Sequence, residues 1–144
     1  MYLLDTNVIS ERRKGRRADR GVVEFIDNPD HELYLPVQVI GELQRGVANL
    51  RRRGDHTQAL RLDKWFQSIL NDASLSILEF DLECAKMWGI LMGANEQHPI
   101  DKQIAAIALV NDFTIVTRNA AHFSGTGARV LNPFRADSHS RQVH

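Results

Sequence analysis

Cysteine is close to absent from this chain: Cys84 is the only one in 144 residues. That count excludes an internal disulfide framework and any zinc cluster built on several thiolates. An excess of one sign of charge is missing as well, because 18 Lys and Arg face 18 Asp and Glu, for zero formal net charge. A domain held to nucleic acid by bulk charge alone would be more basic, so any contact with a polyanion has to come from a local patch. Long apolar runs are also lacking. Met1 to Leu4 is apolar, but Asp5 interrupts it well short of a signal peptide or of the roughly 20 residues that a membrane helix needs. The expected compartment is the cytoplasm, with no membrane partner. No repeat of solenoid period is found. What remains, 43% apolar and 25% charged residues, is the composition of one soluble globular domain.

The order of elements is read from apolar spacing. Met1 to Leu4 predicts a buried strand, and Asp5-Thr6-Asn7 supplies capping residues for a following helix. Gly21 to Ile26 predicts a helix stopped by Asn28-Pro29, and Glu32 to Leu35 a strand closed by Pro36. Val39, Ile40, Leu43, Val47 and Leu50 recur at helical spacing from Val37 to about Arg52. A second amphipathic helix carries Leu60, Leu62, Trp65, Phe66, Ile69 and Leu70. Leu75 to Phe80 predicts a third strand, and Asp81 caps a helix with apolar positions Ala85, Met87, Trp88, Leu91 and Met92. After a polar loop from Gly93 to Pro99, Asp101 to Leu109 is a very apolar helix, and Phe113 to Val116 and Ala128 to Leu131 are the last strands. Alternating strands and helices predict an α/β domain over residues 1–134, with a mainly parallel central sheet flanked by helices and a polar, flexible tail at 135–144. Sites in such domains form in the crevice at the carboxyl ends of the strands.

Carboxylates fall where a core would prefer none. Asp5 closes the first strand, where it serves either as a helix cap or as a crevice acid. Glu42 borders the apolar face of its helix. Asp101 precedes Ile104, Ala105 and Ala108 by three, four and seven positions, so it opens the buried face of its helix. An ionised carboxylate there costs several kcal/mol unless a helix terminus or a metal ion compensates it. Thr117, Arg118, Asn119 and His122 follow the strand ending at Val116. Three carboxylates at the strand-end side of an α/β domain resemble an oxygen-ligand site for a hard divalent cation.

Taken together these stretches resemble a known family. Leu3-Leu4-Asp5-Thr6-Asn7-Val8, Gly41-Glu42-Leu43-Gln44-Arg45-Gly46, Ile100-Asp101-Lys102-Gln103-Ile104-Ala105-Ala106 and Val116-Thr117-Arg118-Asn119-Ala120-Ala121-His122-Phe123 are similar, in order, to the motifs of PIN-domain ribonucleases, above all the VapC-type toxins of toxin–antitoxin pairs. Val130 to Phe134 fits the same pattern. The resemblance implies a three-layer PIN-like fold and hydrolysis of RNA. It also implies that Asp5, Glu42 and Asp101 gather Mg²⁺ or Mn²⁺, with Thr6 or Asn7 supporting Asp5 and Thr117 lining the site. Relatives often carry an aspartate at the place of Asn119, of His122 or of both; here both are non-acidic. Asn119 is then expected to orient water or ribose, and His122 to pack or hydrogen-bond, or else to contact phosphate or act in acid–base transfer. The resemblance further implies a cognate antitoxin whose tail enters the crevice, and a nuclease homodimer that assembles with it into a heterotetramer or larger.

Phosphate contacts are expected from Arg12 and Arg13, in the basic stretch after the first motif, and from Arg45, three residues beyond Glu42. Two other readings compete. A phosphoryl-accepting receiver-like domain wants an acidic pair at the first strand and a late lysine, where this chain has Asp5 alone and Arg118. A catalytically weakened PIN-like module would bind RNA, or a partner, without cutting.

Overall fold

The computed structural model describes residues 1–137. Its elements are β1 (Tyr2–Leu4), α1 (Thr6–Arg12), α2 (Arg20–Asp27), β2 (Leu33–Pro36), α3 (Val37–Arg52), α4 (His56–Leu70), β3 (Leu75–Leu78), α5 (Leu82–Ala94), α6 (Pro99–Asn111), β4 (Thr114–Val116) and β5 (Arg129–Leu131). Short 3-10 turns cover Gly15–Arg17 and Ala120–Phe123. All four strand pairings are parallel, and the order across the sheet is β3-β2-β1-β4-β5.

Alternation within the strands builds the layers, because successive side chains leave a strand on opposite faces. Leu4 and Val116 enter one core, with Val8 and Ile9 of α1, Val22 and Ile26 of α2, Val39 and Leu43 of α3, and Phe66 and Ile69 of α4. Leu3 and Ile115 enter the other, with Cys84 of α5 and Ile104, Ala105, Ile107 and Ala108 of α6. Helices thus cover both faces, which is why the central strands carry apolar residues toward both layers, Thr114 at the start of β4 aside. The order with β1 at the centre also separates the chain from the receiver-like reading, whose doubly wound order runs 2-1-3-4-5.

Several boundaries differ by one or two residues from the sequence expectation; β3, for example, ends at Leu78 rather than Phe80. Asp5, Asp55 and Asp81 cap α1, α4 and α5, each accepting a backbone N–H of the first turn. In α5 the expected apolar stripe is only partly used. Cys84 is fully buried, Met87, Trp88, Leu91 and Met92 are half-buried, and Ala85 is exposed together with Leu82 and Ile90.

Residues 135–137, expected to begin a flexible tail, are tied to the domain. Asp19 caps α2 and also accepts the backbone N–H groups of Arg135 (2.9 Å) and Ala136 (3.1 Å), while Asp137 pairs with Arg118 at 3.1 Å. Gly21 is needed where 132–136 crosses α2, since a Cβ there would overlap the Pro133 carbonyl oxygen. The remainder of the expected tail, 138–144, lies outside the described residues.

Candidate active site

In the sheet, the strand that follows β1 in the chain pairs on one side of it and β4 on the other. Such a reversal opens a crevice at the carboxyl ends of the strands. Asp5 is the first residue after β1 and Thr117 the first after β4, and the Asp5 N–H bonds the Val116 carbonyl at 3.0 Å. A cleft of about 370 Å³ lies there, lined by Asp5, Thr6, Asn7, Glu42, Asp101, Asn119 and His122. Four separate segments supply those residues: the β1–α1 junction, α3, the first turn of α6 and the turn after β4.

Hydrogen bonds hold the lining in place. Thr117 is fully buried; its hydroxyl donates to Asp5 Oδ2 at 2.9 Å and accepts from Asn7 Nδ2 at 3.2 Å and from the Asn119 N–H at 3.0 Å. Asp5 Oδ1 accepts the Thr6 N–H at 2.8 Å, so the carboxylate caps α1 and faces the cleft at once. Asn7 Oδ1 accepts the Arg118 N–H at 3.0 Å and ties α1 to the turn after β4. The Thr6 side chain serves a second acid: its hydroxyl donates to Glu42 Oε2 at 2.7 Å.

Asp101 stands in the first turn of α6, where the aligned peptide dipoles favour negative charge. It does not cap that helix. The cap position is His98, in the left-handed region at φ 53° and with no side-chain capping bond. Asp101 Oδ2 instead meets His122 Nδ1 at 3.0 Å and lies 3.9 Å from His98 Nδ1. The two imidazoles stack, with centroids 4.2 Å apart and planes 16° from parallel. His98 is the site residue that the sequence reading missed, and its only signal there was a spacing of three from Asp101.

Two of the three acids are electrostatically uncomfortable. Burial pushes the Asp5 carboxyl above its ordinary range, the charge of Asp101 adds to this, and the bonds from Thr117 and Thr6 and the charge of His122 only partly offset it. Glu42 is exposed as a residue, yet its carboxylate turns toward the cleft. Partial burial there raises its pKa first, the charges of Asp5 and Asp101 raise it further, and Thr6 and Arg45 oppose them. This donor set fits a divalent cation: oxygen ligands suit Mg²⁺ or Mn²⁺, and a bound cation removes the repulsion among the acids. His98, Asp101 and His122 place one ligand atom each within 4.8 Å of one another, adding nitrogen donors beside the acids.

The basic residues are less concentrated. Arg45 flanks Glu42 on α3, in a neighbouring depression. Arg12 pairs with Asp72 at 3.6 Å, and the Arg13 guanidinium lies 6.0 Å from the Trp65 ring in a groove shared with Ser10, Lys14 and Leu62. Neither Arg12 nor Arg13 lines the acidic cleft.

Fold and site together define a PIN domain. The PIN domain family model matches residues 2–127, and the chain belongs to that family. Plasmid stability protein StbB of Pseudomonas syringae pv. tomato is 36% identical over 142 residues, covering 94% of this chain and 100% of that protein. VapC ribonuclease Y4jK of Sinorhizobium fredii is 32% identical, covering 93% and 98%. The crystal structure of FitAcB from Neisseria gonorrhoeae contains a chain that superposes with a TM-score of 0.78 at 31% identity, covering 92% of this chain and 98% of that one. Among the described residues, no helix is long and apolar enough to cross a membrane.

Proposed function

We propose that this chain is a metal-dependent endoribonuclease that hydrolyses RNA phosphodiester bonds and acts as the toxin of a toxin–antitoxin pair. The observation that carries the reading is the convergence of Asp5, Glu42 and Asp101 on one cleft of a PIN domain, with the first two pushed toward protonation by burial and by neighbouring negative charge. Asp5 and Asp101 would hold Mg²⁺ or Mn²⁺ directly, with Glu42 as a further ligand or as the group that orients water. When bound, such an ion supplies Lewis acidity toward a phosphodiester and a water of lowered pKa.

The chain's own residues prepare that chemistry. Thr117 and Asn7 fix the Asp5 carboxylate, and the Thr6 hydroxyl fixes Glu42. Asn119 offers an amide that orients water or ribose but holds no proton as a base. His122, anchored on Asp101, stands at the edge of the cleft, where its ring would contact phosphate or take part in acid–base transfer. Arg45 is the proposed phosphate contact that lines the depression sharing Glu42, while Arg12 ends α1 and Arg13 is its C-cap.

A protein partner belongs to the same reading. Toxin FitB of Neisseria gonorrhoeae is 34% identical over 140 residues, and a related structure holds FitAB bound to a DNA fragment. The groove that Trp65 and Leu62 share with Ser10, Arg13 and Lys14, and the exposed apolar Leu82 and Ile90 of α5, are surfaces that an antitoxin, or a second nuclease subunit, would cover. The proposed compartment is the cytoplasm.

The test is cleavage of a structured RNA by the purified chain with Mg²⁺ or Mn²⁺, beside EDTA and Asp5→Asn controls. Cutting is expected only with both the metal and Asp5. RNA binding that survives EDTA without cutting would instead support the weakened module, for which the non-acidic Asn119 and His122 are the specific argument.

A further inference from the structure

A second depression, of about 310 Å³, adjoins the acidic cleft and shares Glu42 with it; Gln38, Gly41, Arg45 and Ile100 complete its lining. Gln38, Gly41, Glu42 and Arg45 are spaced three, four and seven along α3, so they form one face of that helix. Ile100 comes from the first turn of α6, one residue before Asp101. Both walls of the depression are therefore continuous with residues that carry the acids.

Three features of this lining have no structural use. Gly41 sits inside a 16-residue helix, where glycine is unfavourable, and a Cβ there would meet nothing within 4 Å. Gly46, in the same helix, has a packing reason, since its Cβ would press on Leu62 at 3.3 Å. Ile100 is 45% exposed beside a charged cleft. Gln38 donates through Nε2 to Gln103 Oε1 at 3.1 Å, leaving its own Oε1 buried without a partner among the described residues, although buried acceptors are almost always paired.

We propose that this depression is a nucleobase subsite, holding one unpaired base of the strand whose phosphate lies at the acidic cleft. The inference rests on the nuclease reading for its substrate class. Bare backbone at Gly41 and the side chain of Ile100 give a base two apolar surfaces. The Gln38 amide, whose buried Oε1 lacks a partner among the described residues, gains one by turning toward a base edge, which glutamine commonly bonds. Arg45 supplies charge for the adjoining phosphate. The volume lies at the low end of small-ligand pockets, about 300–1,000 Å³, and suits one base. Charge and hydrogen-bonding capacity beside an apolar platform favour a base over an apolar side chain of a partner protein.

The experiment is a titration of the isotopically labelled full chain, in Mg²⁺, with the four nucleoside 5′-monophosphates and with ribose 5-phosphate as the base-free control. The Gly41 amide and Ile100 methyl resonances should move with at least one nucleotide and not with ribose 5-phosphate. Gly41→Leu should weaken that nucleotide by about tenfold or more, the scale of one lost base-stacking contact, with no fall in Tm because glycine is replaced by a better helix former. Ile100→Ala should weaken it in the same direction. Equal movement with ribose 5-phosphate, or wild-type nucleotide affinity in Gly41→Leu, overturns the subsite. So does a Gly41→Leu chain that binds nucleotides normally but escapes its neutralising partner, which would assign the pocket to the antitoxin. None of these readouts needs turnover, so failure of the nuclease reading shows separately, as RNA left uncut by the wild-type chain.

Discussion

The crowding of negative charge around Asp5 has a measurable consequence for stability. Asp5 is 5% exposed, and its ionised form meets burial and a neighbouring carboxylate with only partial compensation from Thr117, Thr6 and His122. A folded-state pKa raised above the unfolded value means that the associated stability is complete below pH about 4 and is lost as pH rises through the folded value. Glu42 acts in the same direction, more weakly because water reaches it. At neutral pH the metal-free chain therefore carries an unfavourable charge that the proposed divalent cation would relieve. Saturation at a hundred times Kd stabilises by about 2.7 kcal/mol, which for a domain of this size is a rise in Tm of about 5–10 °C.

Asp5→Asn isolates the cause. Asparagine remains a good helix cap: its one amide oxygen still accepts the Thr6 N–H, its amide nitrogen, at the place of Oδ2, donates to the Thr117 hydroxyl oxygen instead of accepting from it, and the charge is gone. Without metal at pH 7.5 this variant should melt at or above the wild-type temperature, and the gap should close as pH falls toward 4. Millimolar Mn²⁺ should raise the wild-type Tm by several degrees and leave that of Asp5→Asn nearly unmoved. Thermal melts with Mn²⁺, Mg²⁺ and EDTA at three pH values suffice. A wild-type Tm indifferent to metal, joined to an Asp5→Asn variant that melts lower at every pH, would refute the reasoning and leave Asp5 as a structural cap.

The remaining predictions concern the groups that hold the acids. Thr117→Val keeps the shape of a fully buried residue but removes one hydrogen bond each from Asp5, Asn7 and the Asn119 N–H, so denaturant unfolding should show a loss of about 1–3 kcal/mol. A change within experimental error would show that the hydroxyl network contributes nothing. His122→Asp replaces a nitrogen donor by a hard oxygen beside Asp101, so the ratio of Mg²⁺-supported to Mn²⁺-supported cleavage should rise; an unmoved ratio removes His122 from the metal's surroundings.

Much of this arrangement was legible before any coordinates, for physical reasons that differ by element. Strands buried on both faces must be apolar throughout, so β1 and β4 stood out as short apolar runs, and α3 was marked by its 3.6-residue period. α5 was misjudged in detail because it is apolar on nearly every side and offers no single phase; the fold buries only Cys84 fully and leaves Leu82 and Ile90 outside. Asp5 and Asp101 could be singled out because a charge next to a buried face needs an explanation. The partners of those charges could not. His98 reaches the site through a left-handed backbone conformation and a ring stack with a residue 24 positions away, and neither leaves a periodic trace in the chain.

That hidden pair bears on how a site of this family manages with three carboxylates. A fourth acid among Asp5, Glu42 and Asp101 would raise the cost of folding without metal, since each added negative charge pushes the others toward protonation. His122 occupies that ground differently. It meets Asp101 through Nδ1, brings His98 over it as a stacked neighbour, and adds no further negative charge beside Asp5. The same exchange weakens the purely hard-oxygen character of the site, because imidazole favours Mn²⁺ over Mg²⁺. Relief of repulsion in the metal-free chain and a shift in metal preference are thus two results of one substitution pattern. They should appear or vanish together when His122 is changed.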